Sequence, residues 1–182
     1  MSVVHEIVLP DASPAYEWIL GEAVQKVSPT RAHSLLQGII NDKITAWAGD
    51  RGDVGPEWRF RLLPEGSLEC RPLVPDVAYI SVERLAPLSD AEIEAPNVAP
   101  ELVVEIISPD DKQKIRDAKR DVYLSAGVRV VLEVNPETRS FSTFGPDGEH
   151  FETRTNETWT HREFPGLELS LSEIFSVLRR KR

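Results

Sequence analysis

The chain has 182 residues, 28% of them charged, and a net charge of −9 at pH 7. That length suits one well-buried domain, residues 1–182, and falls short of two, while the acidic balance excludes a general nucleic-acid coat protein, whose affinity would come from many cationic phosphate contacts. No window is apolar for long enough to cross a bilayer, the N-terminal stretch lacks the positive region and apolar core of a secretory signal, and the single cysteine, Cys70, can form no internal disulfide, which together lead us to expect a cytoplasmic protein.

Residues 16–27, YEWILGEAVQKV, alternate apolar and polar around Leu20-Gly21-Glu22 and predict a hairpin with Glu17 on its first strand. Ser28-Pro29 predicts a helix start, a capping oxygen followed by proline at the first helical position. The helix is expected to run to about Trp47, because Leu35, Leu36, Ile39, Ile40, Ile44 and Trp47 recur at helical spacing. His33 and Gln37, four residues apart, fall at the margin of that apolar stripe. Residues 49–55, GDRGDVG, read as a loop by composition. Residues 58–63 and 68–71 flank Pro64-Glu65-Gly66-Ser67 as the arms of a second hairpin. Pro75-Asp76 then heads a strand over residues 77–80, and residues 81–100 read as an acidic, proline-containing connection long enough to cross a sheet.

The stretch PELVVEIISPDDKQKIRDAKRDVYLSAGV, residues 100–128, is organised around one acid. Glu105 stands among Val103, Val104, Ile106 and Ile107, a run that reads as a buried strand, where a lone carboxylate is costly unless a partner offsets it. Asp110 or Asp111 is expected to cap a helix reaching about Ala126, with Gly127 as its terminator. Ile115, Ala118, Val122 and Ala126 form its inward stripe, and Lys119 lies beside that stripe. Beyond it, residues 129–134 read as an apolar strand, 135–138 as a turn and 140–144 as the hairpin partner. A turn at Pro146-Asp147-Gly148 leads to another short strand, and a final short helix docks Leu171, Ile174, Phe175 and Leu178 on the core. Two acids on neighbouring strands, Asp76 and Glu105, followed by a lysine-bearing helix, suggest a metal site.

The order of helix, strands, Pro-Asp, and an acid in a core strand followed by a helix resembles the PD-(D/E)XK nuclease superfamily. More narrowly, the chain resembles the Uma family of restriction-endonuclease-like bacterial proteins, through YEWILGEAVQKVSPTRAHSLLQ, PDVAYIS, PELVVEIISPDD with KRDVYLSAGVRVVLEVNP, and FPGLELSLSEIF. The resemblance implies an α/β fold, a restriction-endonuclease-like mixed β-sheet flanked by helices, with N-terminal and C-terminal hairpin additions. It places Asp76 and Glu105 on the two acidic positions of the motif, where with the carbonyl of Ile106 they would hold Mg²⁺ or Mn²⁺. The lysine departs from the superfamily pattern, because two residues after the acid, on the same face of the strand, stands Ile107. The Uma pattern resembles a variant in which the next helix supplies that lysine, and KRDVY puts Lys119 there. The first helix also lacks the acid that many such nucleases carry, so His33 and Gln37 are its polar candidates.

Phosphodiester hydrolysis needs an activated water, neutralisation of charge on the phosphoryl oxygens and help for the leaving oxygen. A magnesium ion held by two carboxylates and a carbonyl can serve all three. Lys119 is then expected to orient or deprotonate the water, or to stabilise the transition-state anion. The expected function is a metal-dependent DNA endonuclease, active as a homodimer, with Lys112 and Lys114 as further phosphate contacts. Asp110, Asp111, Asp117 and Asp121 interleave with those cations, as on a solvated face laced with ion pairs. Two rivals stand beside it. One is a catalytically silent nucleic-acid- or protein-binding module on a nuclease fold, which the displaced lysine favours; the other is metal-free acid–base hydrolysis by the two carboxylates, as in sugar cleavage.

Overall fold

Apolar alternation through the middle of the chain builds one mixed sheet, and the remaining elements are placed by what covers its two faces. The structure is a computed structural model describing residues 4–179, so both ends of the expected span lie outside the described residues.

In chain order, β1 (His5–Glu6) precedes a hairpin of β2 (Tyr16–Ile19) and β3 (Glu22–Gln25). Leu20 and Gly21 turn it with φ of 54° and 83°, the double positive-φ geometry that matches the twist of a tight hairpin. α1 (Arg31–Ala48) starts two residues later than Ser28-Pro29 suggests: Thr30 is the extended cap, and its hydroxyl accepts from the backbone N–H of His33. The expected loop at residues 49–55 is a correction. One tight turn, Gly49–Arg51, leads into a true edge strand, β4 (Gly52–Pro56). A Cβ on Gly52 would fall 2.2 Å from the carbonyl oxygen of Ile80, so glycine here admits a close backbone approach instead of marking a loop.

β5 (Phe60–Leu62) and β6 (Glu69–Leu73) form the second hairpin, and β1 adds to β6 in parallel as a small three-stranded sheet. After β7 (Val77–Ser81), the acidic, proline-containing connection holds two short helices, α2 (Val82–Leu85) and α3 (Asp90–Ile93). β8 (Leu102–Ile106) and α4 (Gln113–Ser125) follow. The cap of α4 is Lys112 and not Asp110 or Asp111, because the Asp111 carboxylate instead accepts from the backbone N–H of Ser108, 2.7 Å away, and closes the turn before the helix. The chain then runs through β9 (Val130–Asn135), β10 (Ser140–Phe144), β11 (His150–Thr153), β12 (Thr158–Trp159), β13 (Leu169–Ser170) and α5 (Leu171–Ser176).

The main sheet has the order β11-β10-β9-β8-β7-β4; β8 and β9 are parallel across the α4 crossover, and the other neighbours are antiparallel. Alternation along β8 sends Leu102, Val104 and Ile106 to one face, where α1 (Leu36, Ile40, Ile44) and α5 (Ile174, Phe175) bury them. Val103 goes to the other face, with Ala78 and Val131, under Val122 and Tyr123 of α4 and Ile19 of the first hairpin. Each of these large apolar side chains contributes about 1.5–3 kcal/mol on burial. Among the described residues no helix is long and apolar enough to cross a membrane.

Candidate active site

Pairing of β7 with β8 runs Val77↔Val104 and Ala78↔Val103. One further step in that register sets Asp76 across from Glu105, on the face that α4 and the first hairpin cover, and directly opposed residues on antiparallel strands share a face. Both acids line a cavity of ≈ 290 Å³, as do Glu17, Lys26, His33 and Lys119.

Asp76, 2% exposed, is held from three sides. Its Oδ1 accepts from Lys26 Nζ at 2.8 Å, and its Oδ2 accepts from the Ile106 backbone N–H at 2.6 Å and pairs with His33 Nε2 at 3.0 Å. Gln37 Nε2 donates to the Asp76 carbonyl at 2.9 Å and to Glu57 Oε1 at 3.0 Å, so α1 grips the head of β7 through His33 and Gln37. Lys26 also reaches the Val74 carbonyl at 2.9 Å and the half-exposed Glu57 at 3.0 Å.

Glu105 is held by α4. Lys119 Nζ lies 2.8 Å from its carboxylate oxygens, and the Tyr123 hydroxyl donates to Oε1 at 2.7 Å. Lys119 and Tyr123 are four residues apart, hence on one face of the helix, and packing Ala118 and Val122 on the sheet turns that face toward the cavity. The same ammonium lies 2.9 Å from Glu17 Oε1, and Glu17 Oε1 accepts from the Val74 backbone N–H at 2.7 Å. Lys119 is therefore a counter-ion shared by a hairpin acid and a sheet acid.

These contacts push the two acids apart. Burial drives the Glu105 carboxyl up to about 7, with Lys119 opposing the rise and Asp76 adding to it. Burial acts on Asp76 in the same direction, yet the Lys26 ammonium and the His33 hydrogen bond outweigh it and hold that acid well below the ordinary carboxylate range. Lys119 is raised, because Glu105 and Glu17 overcome its burial, and Lys26 is raised by Asp76 against its own burial. Burial and then Glu105 lift the Tyr123 phenol well above its usual value. Both lysines are thus held toward the ammonium form, while the carboxyls are pushed in opposite directions, Asp76 down and Glu105 up.

Of the residues singled out in the sequence, Asp76, Glu105, Ile106, His33 and Lys119 meet at the cavity and Gln37 buttresses it from behind. Exposed Lys112 reaches the rim; Lys114 is exposed and does not line the cavity. Lys26, Glu17 and Tyr123 have no role in the sequence reading. The faint signals for them are an acid inside the alternating pattern of a hairpin for Glu17 and the four-residue spacing from Lys119 for Tyr123. Lys26, just beyond the end of β3, has no signal of its own.

A family model described as "Putative restriction endonuclease", Uma2, matches residues 6–172. The chain belongs to the Uma2 family. A crystal structure described as a putative nuclease belonging to DUF820, from Anabaena variabilis, superposes with a TM-score of 0.82 at 25% identity, covering 94% of this chain and 95% of that one. No curated protein matches the chain. The mixed sheet with its flanking helices is thus a nuclease-like fold, and Asp76 and Glu105 of this Uma2 chain sit at the paired ends of two of its strands.

A divalent cation suits the oxygen donors of Asp76 and Glu105 and the Ile106 carbonyl beside them. Among the described residues no three His, Cys, Asp or Glu side chains gather closely enough to hold one by themselves, so a cation here would depend on two carboxylates, backbone and solvent. Lys26 already stands against Asp76 and pairs as well with the half-exposed Glu57.

Proposed function

We propose that this protein is a metal-dependent nuclease cutting phosphodiester bonds of DNA, in a single domain with Asp76, Glu105 and Lys119 at its centre. The observation that carries the reading is the opposition of Asp76 and Glu105 across β7 and β8, with an ammonium 2.8 Å from each acid, inside an open cavity of a nuclease-family chain. When bound, Mg²⁺ or Mn²⁺ would lower the pKa of a water and neutralise phosphoryl charge. Asp76, kept ionised by Lys26 and His33, and Glu105, with the Ile106 carbonyl, would supply the protein's oxygens for it. Lys119 keeps its proton, so its role is to donate to a phosphoryl oxygen and hold positive charge where negative charge grows, not to act as a base. Tyr123 and Glu17 fix Glu105 and Lys119 in place so that little reorganisation is left for the reaction itself.

A second reading is supported by a specific feature. Every carboxylate oxygen of Asp76 and Glu105 already has a protein partner, as expected of a self-neutralised cluster in a silent binding module. One experiment separates the two: titrate the purified protein with Mn²⁺ by calorimetry, then incubate it with DNA in Mg²⁺ or Mn²⁺, with and without chelator. A nuclease binds the metal and loses its activity to the chelator. A silent module does neither, and cleavage that survives chelation would instead point to metal-free acid–base chemistry.

A further inference from the structure

We infer that the strand entering this site is single-stranded DNA. The inference rests on the nuclease reading and adds the form of the substrate.

Asp76 and Glu105 lie at the floor of a cleft with two walls. One wall is the first hairpin, the other the segment that runs from the end of β8 into α4. Both walls are tied down. On the hairpin side Glu17 takes the Val74 N–H at 2.7 Å and Lys26 donates to the Val74 carbonyl at 2.9 Å, while on the helix side Lys119 and Tyr123 are bonded to Glu105. The space between them, ≈ 290 Å³, lies at the small end of ligand-sized pockets, room for one nucleotide and not for a base pair.

To bring a phosphate to Asp76, itself 2% exposed, the strand has to bend into the cleft. A single strand does so by rotating its own backbone torsions. A duplex has a persistence length of about 150 base pairs and resists the same bend, and its second strand has no room to follow.

Charge points the same way. Acids outnumber lysines and arginines among the cavity's lining side chains, seven to five, within a chain of net charge −9. A duplex brings one negative charge per ~1.7 Å of axis, twice the density of a single strand, so it meets about twice the repulsion. Among the described residues Tyr123 is the one aromatic lining the cavity, and it is fully buried. Bases therefore find no stacking platform, and the strand is gripped by its backbone with little base preference.

The test uses the full chain with Mn²⁺ and three end-labelled DNAs of one sequence: a single strand, a blunt duplex, and a duplex with a single-stranded tail. The single strand should be cut at least about 5-fold faster than the blunt duplex, the low end of what bending a duplex costs, and cuts in the tailed duplex should lie in the tail. A smaller ratio, or cuts inside the paired region, overturns the inference and leaves the nuclease reading standing. If no form is cut, the nuclease reading fails, and fluorescence anisotropy decides the inference alone: tighter binding of the single strand supports it, and equal or tighter duplex binding ends it.

Discussion

The same two strands carry a buried acid at each end of their pairing, and the ends differ in what surrounds the acid. At the closing end of β7, Glu101, 5% exposed, accepts from the Ser81 N–H at 3.0 Å and the Ser81 hydroxyl at 2.7 Å, and Arg84 Nε lies 3.1 Å away. Its partners are a backbone amide, a hydroxyl and a guanidinium, and it does not line the cavity that Asp76 and Glu105 share. At the opening end, Asp76 and Glu105 are held by two ammoniums, an imidazole and a phenol on the wall of an open space. A buried acid in a strand is thus no functional signal by itself. A space for a ligand beside the paired acids is what sets the candidate site apart from a fastening.

Swapping the acids tests that contrast most strongly. Glu105→Gln or Asp76→Asn should lower any DNA cleavage on the order of 10³-fold, as expected when a group positioned on the reacting centre is lost. Glu101→Gln should leave the rate within about twofold and cost about 1–3 kcal/mol in urea denaturation, the worth of hydrogen bonds to a charged group. Equal losses of rate at both ends would erase the distinction.

Lys119→Met should have the next largest effect, about 10² in rate. It also leaves buried Glu17 and partly buried Glu105 without their shared counter-ion, a loss of about 3–5 kcal/mol. Adding Glu17→Gln should recover part of that stability and none of the rate; recovery of both would make Lys119 a fastening like Arg84.

A pH series adds a gentler probe. Because burial raises Glu105 to about 7, its carboxyl is protonated below that pH, and a protonated carboxyl is no metal ligand. Mn²⁺ affinity should therefore fall by about tenfold per pH unit below about 7 and level off above it, as read by calorimetry. Asp76, held low, stays ionised throughout that window, so the slope should vanish in Glu105→Gln; a slope that persists there belongs to another group. The smallest effect is expected for Lys114→Met, exposed and outside the cavity, which should change cleavage by less than about twofold.

The elements whose residues carry a local period were legible in the chain alone. The helical recurrence of Leu36, Ile40 and Ile44, the alternation around Leu20-Gly21, and the acid enclosed by Val103, Val104, Ile106 and Ile107 each follow from short-range sterics and from which face must be buried. So did the nearness of Lys119 to Glu105, since α4 has to fold back over the strand it follows. The β4 strand was hidden, because an edge strand built on Gly52 is defined by backbone pairing with β7 and shows no alternation of its own. The joining of Lys26 to Asp76, 50 residues apart, and of Glu17 to Lys119 was hidden for a different reason. No period within either segment records where a hairpin will lie once two faces of a sheet have been covered, and that placement, set by packing the whole core, decides which cations meet which acids.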